Sequence, residues 1–135
     1  MPNLFKGQLI APQTIEIIHT DSGAIIKTTA PKDNGGEGTC FSPTDLFCAS
    51  LGACGTTIMS LFATKHSIPL ENVHFEVEKI MASAPRKIAK IIVKYFIYSN
   101  CTDEQLLRLI AAGKACPVKL TIQECVEIEE SYVRA

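Results

Sequence analysis

Short apolar runs alternate with turn-forming residues over the first 30 positions of the chain. Three runs, LFKGQLI, TIEIIHT and AIIKTTA, lie between residues 4 and 30 and predict three strands, because they are rich in β-branched residues. Asp21-Ser22-Gly23, between the second and third runs, predicts a hairpin turn. Residues 31–39, PKDNGGEGT, predict a loop, since proline, asparagine and glycine disfavour regular elements.

Residues 42–66 have the pattern of one long helix. Ser42 suits the N-cap, Pro43 suits the first helical position, and Asp45 places a negative charge in the first turn. The interior, CASLGACGTTIMSLF, is apolar or small nearly all round, which is typical of a long, buried central helix. Its small residues between positions 49 and 55 indicate close packing. A chain of 135 residues offers little cover for such a helix, so the pattern also favours a dimer.

The second half of the chain returns to strands around a shorter helix. Residues 73–77 alternate with period two, and the run KIAKIIVKYFIYS, which begins at Lys87, predicts a central strand. These two strands are expected to pair antiparallel through a turn at Ser83-Ala84-Pro85. A second helix is predicted from Thr102 to about Gly113, VKLTI predicts a short turn or helix, and CVEIEESYV predicts a closing strand.

The order of these elements predicts an α+β fold with antiparallel strands rather than alternating βαβ units. The length fits a single domain over residues 1–135. A formal net charge of −1 and the lack of a basic cluster disfavour nucleic-acid binding. The N-terminal residues MPNLFKGQLIAPQ lack the apolar run of a signal peptide, and no apolar stretch is expected to reach the ~18 residues of a membrane span. We therefore expect a cytoplasmic protein that binds neither nucleic acid nor membrane.

Six cysteines are the candidate reactive groups, and without an export signal they are expected to be mostly reduced. No CxxC motif or zinc-like spacing occurs, so we expect neither a metal site nor a cofactor. Cys116 precedes a proline and suits the N-cap of a short helix, where backbone N–H groups and the nearby Lys114 and Lys119 favour a thiolate. Cys54 falls in mid-helix, where the dipole offers no help and a cysteine is most often a small apolar residue. Physical reasoning alone thus ranks Cys116 as the thiol of lower pKa.

The remaining cysteines and the histidines are interpreted as structural. A Cys–His nucleophilic pair is possible in principle, but nothing in the spacing supports one. One of these cysteines lies in the predicted loop, where incidental oxidation is expected. The residues are Cys40 in that loop, Cys48, Cys101 and Cys125, together with His19, His66 and His74.

The segment SPTDLFCASLGACGTTIMSLFATK, residues 42–65, followed by ACPVKLTI, resembles the OsmC/Ohr hydroperoxide-resistance family over essentially the whole chain. The resemblance implies an OsmC-like α+β fold in an intertwined homodimer, whose sheets wrap around a pair of long helices with the thiols at the subunit interface. It also implies that Cys54 attacks an organic hydroperoxide and that Cys116 resolves the resulting sulfenic acid as a disulfide. A dithiol reductant then reopens that disulfide.

Two departures from the family pattern weaken this reading. The family carries an acidic residue directly after the helix-opening proline, which orients an arginine of the N-terminal strands onto the reactive sulfur. Here that position is Thr44, with Asp45 one place later, and the first arginine of the chain is Arg86. We expect a weak peroxidase, because Lys6 and Lys27 cannot copy the planar geometry of a guanidinium. The alternative is a non-peroxidase thiol protein or small-molecule-binding dimer that retains the family fold.

Overall fold

The computed structural model describes residues 3–135, which divide into two compact units. The N-terminal unit ends at Phe47, and the C-terminal unit comprises Cys48–Ala135. Two three-stranded sheets and three α-helices make up the described part of the chain. The predicted α+β class is therefore confirmed, whereas the prediction of a single domain stays a prediction.

The N-terminal unit contains a sheet of three antiparallel strands in chain order. These strands are β1 (Phe5–Ala11), β2 (Thr14–His19) and β3 (Ile25–Thr29), close to the three predicted runs. Gly23 adopts a positive φ of 75° in the predicted hairpin turn, a conformation that glycine adopts without strain. The predicted loop that follows contains one short 3-10 helix, Lys32–Asn34.

One face of the N-terminal sheet is apolar, and much of it is exposed. The strand register places Ile17 of β2 opposite Ile26 of β3 on this face. On β1, Gly7 is opposite Ile17, and Phe5 and Leu9, two residues before and after Gly7, share its face. Phe5 is 60% exposed, Leu9 68% and Ile26 46%. A cavity of about 360 Å³ opens on the same face and is lined by Phe5, Ile17, His19, Ala24 and Ile26. We call this surface the apolar face of the N-terminal sheet.

Helix α1 (Pro43–Lys65) begins and ends almost where the sequence predicts. The Ser42 hydroxyl accepts a hydrogen bond from the Asp45 backbone N–H at 3.0 Å, and the Asp45 carboxylate accepts one from the Ser42 backbone N–H at 3.0 Å. This reciprocal arrangement satisfies two backbone donors that a helix start would otherwise leave free. The predicted cap is confirmed, and it explains why the helix begins at this point.

Helix α1 is buried along one face, although its sequence is apolar nearly all round. The other side of α1 is not covered by the rest of the chain: the Leu61 side chain is 61% exposed and that of Phe47 is 41% exposed. By length and composition the helix is long and apolar enough to cross a membrane, with a mean hydropathy of 1.7. This differs from the expectation that no apolar stretch of the chain reaches the length of a membrane span. Core helices of globular proteins share this property, so it is weak support for a membrane span. The buried face consists of Cys48, Leu51, Gly52, Gly55, Met59 and Ala63.

The C-terminal sheet has the strand order β4 (Asn72–Ala82), β5 (Lys87–Tyr98) and β6 (Glu127–Arg134). Strands β4 and β5 pair antiparallel, as predicted. Strands β5 and β6 pair parallel, so the prediction of antiparallel strands throughout was wrong for this pair. The connection between them is long enough to return the chain to the start of the sheet. It contains the helices α2 (Asp103–Lys114) and α3 (Pro117–Ile122).

The core of the C-terminal unit forms between α1 and the inner face of β5. Alternate side chains of β5, namely Ile91, Val93, Tyr95 and Ile97, are fully buried. The glycines of α1 allow this close approach. A Cβ at Gly55 would lie 2.2 Å from the Tyr95 hydroxyl, and one at Gly52 would lie 2.3 Å from the ring of Phe75. The close packing that the small residues predicted is therefore confirmed.

Candidate functional site

Cys116 is the N-cap of helix α3, as its position before Pro117 predicts. Its Sγ accepts a hydrogen bond from the Lys119 backbone N–H at 3.4 Å, and the residue is fully buried. Burial raises the pKa of the Cys116 thiol; the Lys119 N–H lowers it, and the neighbouring Cys54 and Glu130 add to the rise. The expectation of a low-pKa thiol was therefore wrong, because desolvation outweighs the single backbone donor.

Cys54 lies on helix α1 and packs against the same core cluster as Cys116. Cys54 lies near enough to Cys116 to add to the rise in the pKa of the Cys116 thiol. The structure therefore brings together the two cysteines that the sequence paired, one from the middle of a long helix and one from the start of a short one. None of the six cysteines, all of which lie within residues 3–135, forms a disulfide bond.

Two tyrosines line the site beside the thiols. The rings of Tyr95 and Tyr132 stack with centroids 4.6 Å apart and an interplanar angle of 7°. The Tyr95 hydroxyl donates to the Leu51 carbonyl oxygen at 3.3 Å. Burial, and next the negative charge of Glu130, raises the pKa of both phenols, so both stay protonated at neutral pH. The stacked rings present a mostly apolar surface beside the thiols.

A buried ion pair lies next to Cys116. The Lys119 Nζ is 2.6 Å from Glu130 Oε1, with 20% of the lysine side chain and 4% of the glutamate side chain exposed. Sequence reasoning noted Lys119 only for its closeness to Cys116 and missed Glu130. The available signal was the break in alternation at Glu129-Glu130, where two adjacent acidic residues must point to opposite faces of the strand.

Among the other cysteines, Cys48 is buried in the same core cluster as Cys116. The remaining cysteines and the histidines have other surroundings or partners. Cys101 is buried and receives an N–H of Arg134 at 3.8 Å, while Cys40 and Cys125 are exposed. The histidines form contacts with Ser22, Arg108 and Asn72 rather than with a thiol. Within residues 3–135, no group of three or more His, Cys, Asp or Glu side chains is arranged to hold a metal ion.

Comparison with known proteins identifies related sequences and folds. A family model described as OsmC-like protein matches residues 36–131. A structure from Psychrobacter arcticus, assigned to the osmotic stress induced and detoxification response, shares 28% identity and a TM-score of 0.89, covering 98% of this chain and 96% of that one. The fold also matches that of an organic hydroperoxide resistance protein, OsmC, from Legionella pneumophila, with 24% identity, a TM-score of 0.71 and coverage of 98% and 96%.

A third similar fold is that of the organic hydroperoxide resistance protein OhrB of Bacillus subtilis. It shares 16% identity and a TM-score of 0.64, covering 98% of each chain. At this level of identity the similarity concerns the fold alone. No curated protein sequence matches the chain significantly.

Proposed function

This chain belongs to the OsmC-like protein family, and we propose that it is a thiol-based reductase of organic hydroperoxides that works through Cys54 and Cys116. The observation that carries the proposal is that the partly buried Cys54 packs against the core cluster that contains Cys116 and adds to the rise in the pKa of that thiol. Two neighbouring thiols of this kind are suited to reversible disulfide formation. The mostly apolar surroundings suit an alkyl substituent on the peroxide.

The chemistry needs two steps at sulfur. The Cys54 thiolate attacks the O–O bond of ROOH, an S–O bond forms, the O–O bond breaks, and the alkoxide leaves as ROH after protonation by solvent. The Cys116 sulfur then attacks the sulfenic acid, an S–S bond forms, and the sulfenic oxygen leaves as water with the proton of Cys116. A small dithiol reductant reduces the disulfide and returns both thiols. The neighbouring Cys116 protects the Cys54 sulfenic acid from further oxidation.

We propose weak activity, since the chain lacks the arginine that the family places on the reactive sulfur. The first arginine is Arg86, and the position after Pro43 is Thr44 rather than an acid. Asp45 is committed to the helix cap, where its carboxylate accepts from the Ser42 N–H. The lack of this arginine also favours the second candidate function, a thiol protein or small-molecule-binding dimer without peroxidase turnover.

We also propose that the functional unit is a homodimer in a reducing, cytoplasmic environment. The apolar face of the N-terminal sheet and the exposed side of α1 leave large apolar side chains uncovered, among them Phe5, Leu9 and Leu61. Exposed apolar surface of this extent is typical of a protein interface. An obligate dimer interface is expected to bury more than ~2,000 Å² in total.

Thiol counting with cumene hydroperoxide tests the proposed function. The reduced protein should lose two thiols per chain and, with dithiothreitol present, should consume the peroxide over many turnovers. We expect Cys54→Ser to abolish consumption, and Cys116→Ser to leave a trappable sulfenic acid on Cys54 that forms no intramolecular disulfide.

Cys101→Ser is the matched control, because Cys101 is also a buried free thiol but lies outside the pair. It should leave the kinetics unchanged. A wild-type protein that keeps all its thiols in excess peroxide would exclude the reductase and favour the second candidate.

A further inference from the structure

Helix α3 begins at Cys116, so the contacts that hold this helix in place also hold the thiol. The helix has six residues, Pro117–Ile122, all in the described part of the chain, and none of them is fully buried. Val118 and Ile122 are partly buried where they pack against the core cluster. A helix this short is not stable by itself in water, so its position depends on tertiary contacts.

The N-cap of α3 contributes little to this anchoring. The backbone N–H of Lys119 donates to Cys116 Sγ at 3.4 Å, and the backbone N–H of Leu120 donates to the Cys116 carbonyl oxygen at 3.0 Å. A thiol sulfur is a weaker acceptor than the hydroxyl and carboxylate oxygens that are preferred at an N-cap. The cap therefore directs the Cys116 side chain, while the helix needs a further contact to stay in position.

An ion pair joins the same turn of α3 to the C-terminal sheet. The Nζ of Lys119 lies 2.6 Å from Oε1 of Glu130 in β6. The lysine side chain is 20% exposed and the glutamate side chain 4%, so water and salt screen this pair much less than a surface pair. Lys119 thus contacts the thiol through its backbone and the sheet through its side chain.

The strand register places Glu130 at a firmly held position. It lies opposite Val93 of β5, which is fully buried, and it shares its face of β6 with Ile128 and Tyr132. Burying a carboxylate among such neighbours is costly unless it is paired, and apolar residues in place of a buried ion pair often give equal or higher stability. Stability alone therefore does not explain this pair.

We propose that Lys119 and Glu130 are positioning residues that hold the first turn of α3, and with it Cys116, in place to close the disulfide with Cys54. This inference rests on the proposed function, because it concerns the step in which Cys116 attacks the sulfenic acid of Cys54. Without the ion pair α3 moves relative to β6, and the two sulfurs meet for a smaller fraction of the time. The sulfenic acid then persists and is exposed to further oxidation.

The double variant K119M/E130L separates position from stability. It removes both charges together and leaves no bare charge buried, so we expect its Tm to equal or exceed that of the wild type. In the reduced protein, NMR should show about tenfold lower protection from hydrogen exchange for the backbone N–H groups at positions 120 and 123, which bond within α3. The N–H of Leu106 in α2 is the internal reference and should keep its protection.

Disulfide closure in glutathione buffers is the second measurement. Oxidised glutathione accepts two electrons and two protons from the thiol pair and becomes two molecules of glutathione, while the bond between Cys54 and Cys116 forms. The equilibrium gives the effective concentration of one thiol at the other, which we expect to be about tenfold lower in K119M/E130L. Lys119→Arg should keep the wild-type value, because a guanidinium also pairs with the carboxylate.

Lys90→Met is the matched control, since Lys90 of β5 forms an ion pair with Glu129 of β6 at 3.4 Å, and the Glu129 side chain is 62% exposed. It removes a lysine from an ion pair of the same sheet at a surface position. Protection in α3 and the effective concentration of the thiols should both stay at their wild-type values.

Wild-type protection at positions 120 and 123 in K119M/E130L would overturn the proposal, as would an effective concentration lowered equally in Lys119→Arg. Should the double variant fail to fold, Glu130→Gln supplies the test, because its amide keeps the shape of the side chain and weakens the contact with Lys119. Wild-type protection in that variant overturns the proposal equally. The exchange measurement uses neither peroxide nor disulfide, so its failure is distinguishable from failure of the proposed function, in which the thiols stay reduced in excess peroxide.

Discussion

The two sheets of this protein each have three strands, yet they differ in where their apolar side chains lie. In the C-terminal sheet, the inward side chains of β5 are fully buried against α1. In the N-terminal sheet, the apolar face remains largely exposed, and the fully or nearly buried side chains are the polar Thr28 and Thr29 at the end of β3. Both sheets are amphipathic by the same period-two pattern.

This difference teaches that an alternating pattern predicts which side chains share a face but not what covers that face. The C-terminal sheet finds its cover within its own unit, which also contains the thiol pair. The N-terminal sheet needs cover from outside its own unit, which the proposed dimer would supply. Predictions that treat the two sheets differently therefore test the proposed assembly as well as the fold.

The largest effect is expected from a charge on the apolar face of the N-terminal sheet. Ile26→Glu should convert the proposed dimer into monomers at micromolar concentration, because an unpaired carboxylate in an apolar interface costs several kcal/mol. Lys27→Glu, one residue away on the opposite face of β3, should leave the dimer intact. Light scattering measures the mass of each species. A wild-type monomer, or a dimer that survives Ile26→Glu, would rule out this interface.

The next largest difference between the two sheets is expected in how much truncation of an isoleucine side chain lowers the free energy of unfolding. Ile91→Ala in β5 is expected to lower the free energy of unfolding by about 2 to 5 kcal/mol, because it leaves a cavity at a fully buried position. Ile25→Ala in β3, where the side chain is 54% exposed on the more polar face, should cost less than about 1 kcal/mol. Urea unfolding of the two variants gives the comparison. Equal losses would show that the N-terminal sheet is packed as firmly as the C-terminal one.

Sequence reasoning predicted the parts of this fold that depend on local chemistry. Ser42 and Asp45 form the predicted helix start, and Cys116 forms the predicted N-cap, because capping depends on a few adjacent residues. The parallel direction of β6 could not be predicted, since alternation is the same in both directions. The raised pKa of Cys116 depends on burial by residues distant in the chain, and Glu130 joins the site only through the register of β6 with β5.

We expect the loss of stability at high pH to arise from groups in the C-terminal unit. The folded-state pKa values of Cys116, Tyr95 and Tyr132 are raised, and the N-terminal unit contains no tyrosine. Above about pH 9 the unfolded chain loses these protons while the folded chain keeps them, so stability is full below that pH and falls as the pH rises. We expect a loss of roughly 2 kcal/mol between pH 8 and 10.5 by urea unfolding.

Tyr132→Phe should make this pH dependence shallower, because one of the three raised groups is removed. The measurement compares the free energy of unfolding of the variant and the wild type at each pH. A wild-type protein whose stability stays constant or rises toward pH 10.5 would contradict the sign of the effect.

The smallest expected difference concerns the helix caps, which should contribute similarly despite the different burial of the two sheets. Ser42 caps α1 at the end of the N-terminal unit, and Thr102 caps α2 within the C-terminal unit, where its hydroxyl accepts from the Gln105 N–H at 3.1 Å. Ser42→Ala and Thr102→Ala should each lower the free energy of unfolding by about 0.5 to 2 kcal/mol, because each leaves one helix N–H without its side-chain acceptor. Glycine at either position should cost only a few tenths of a kcal/mol, since a small residue at the N-cap lets water reach the freed N–H. A loss at Ser42 well above this range would show that its buried hydroxyl also stabilises packing around the start of α1, and the contrast between the two regions would then extend to their local interactions.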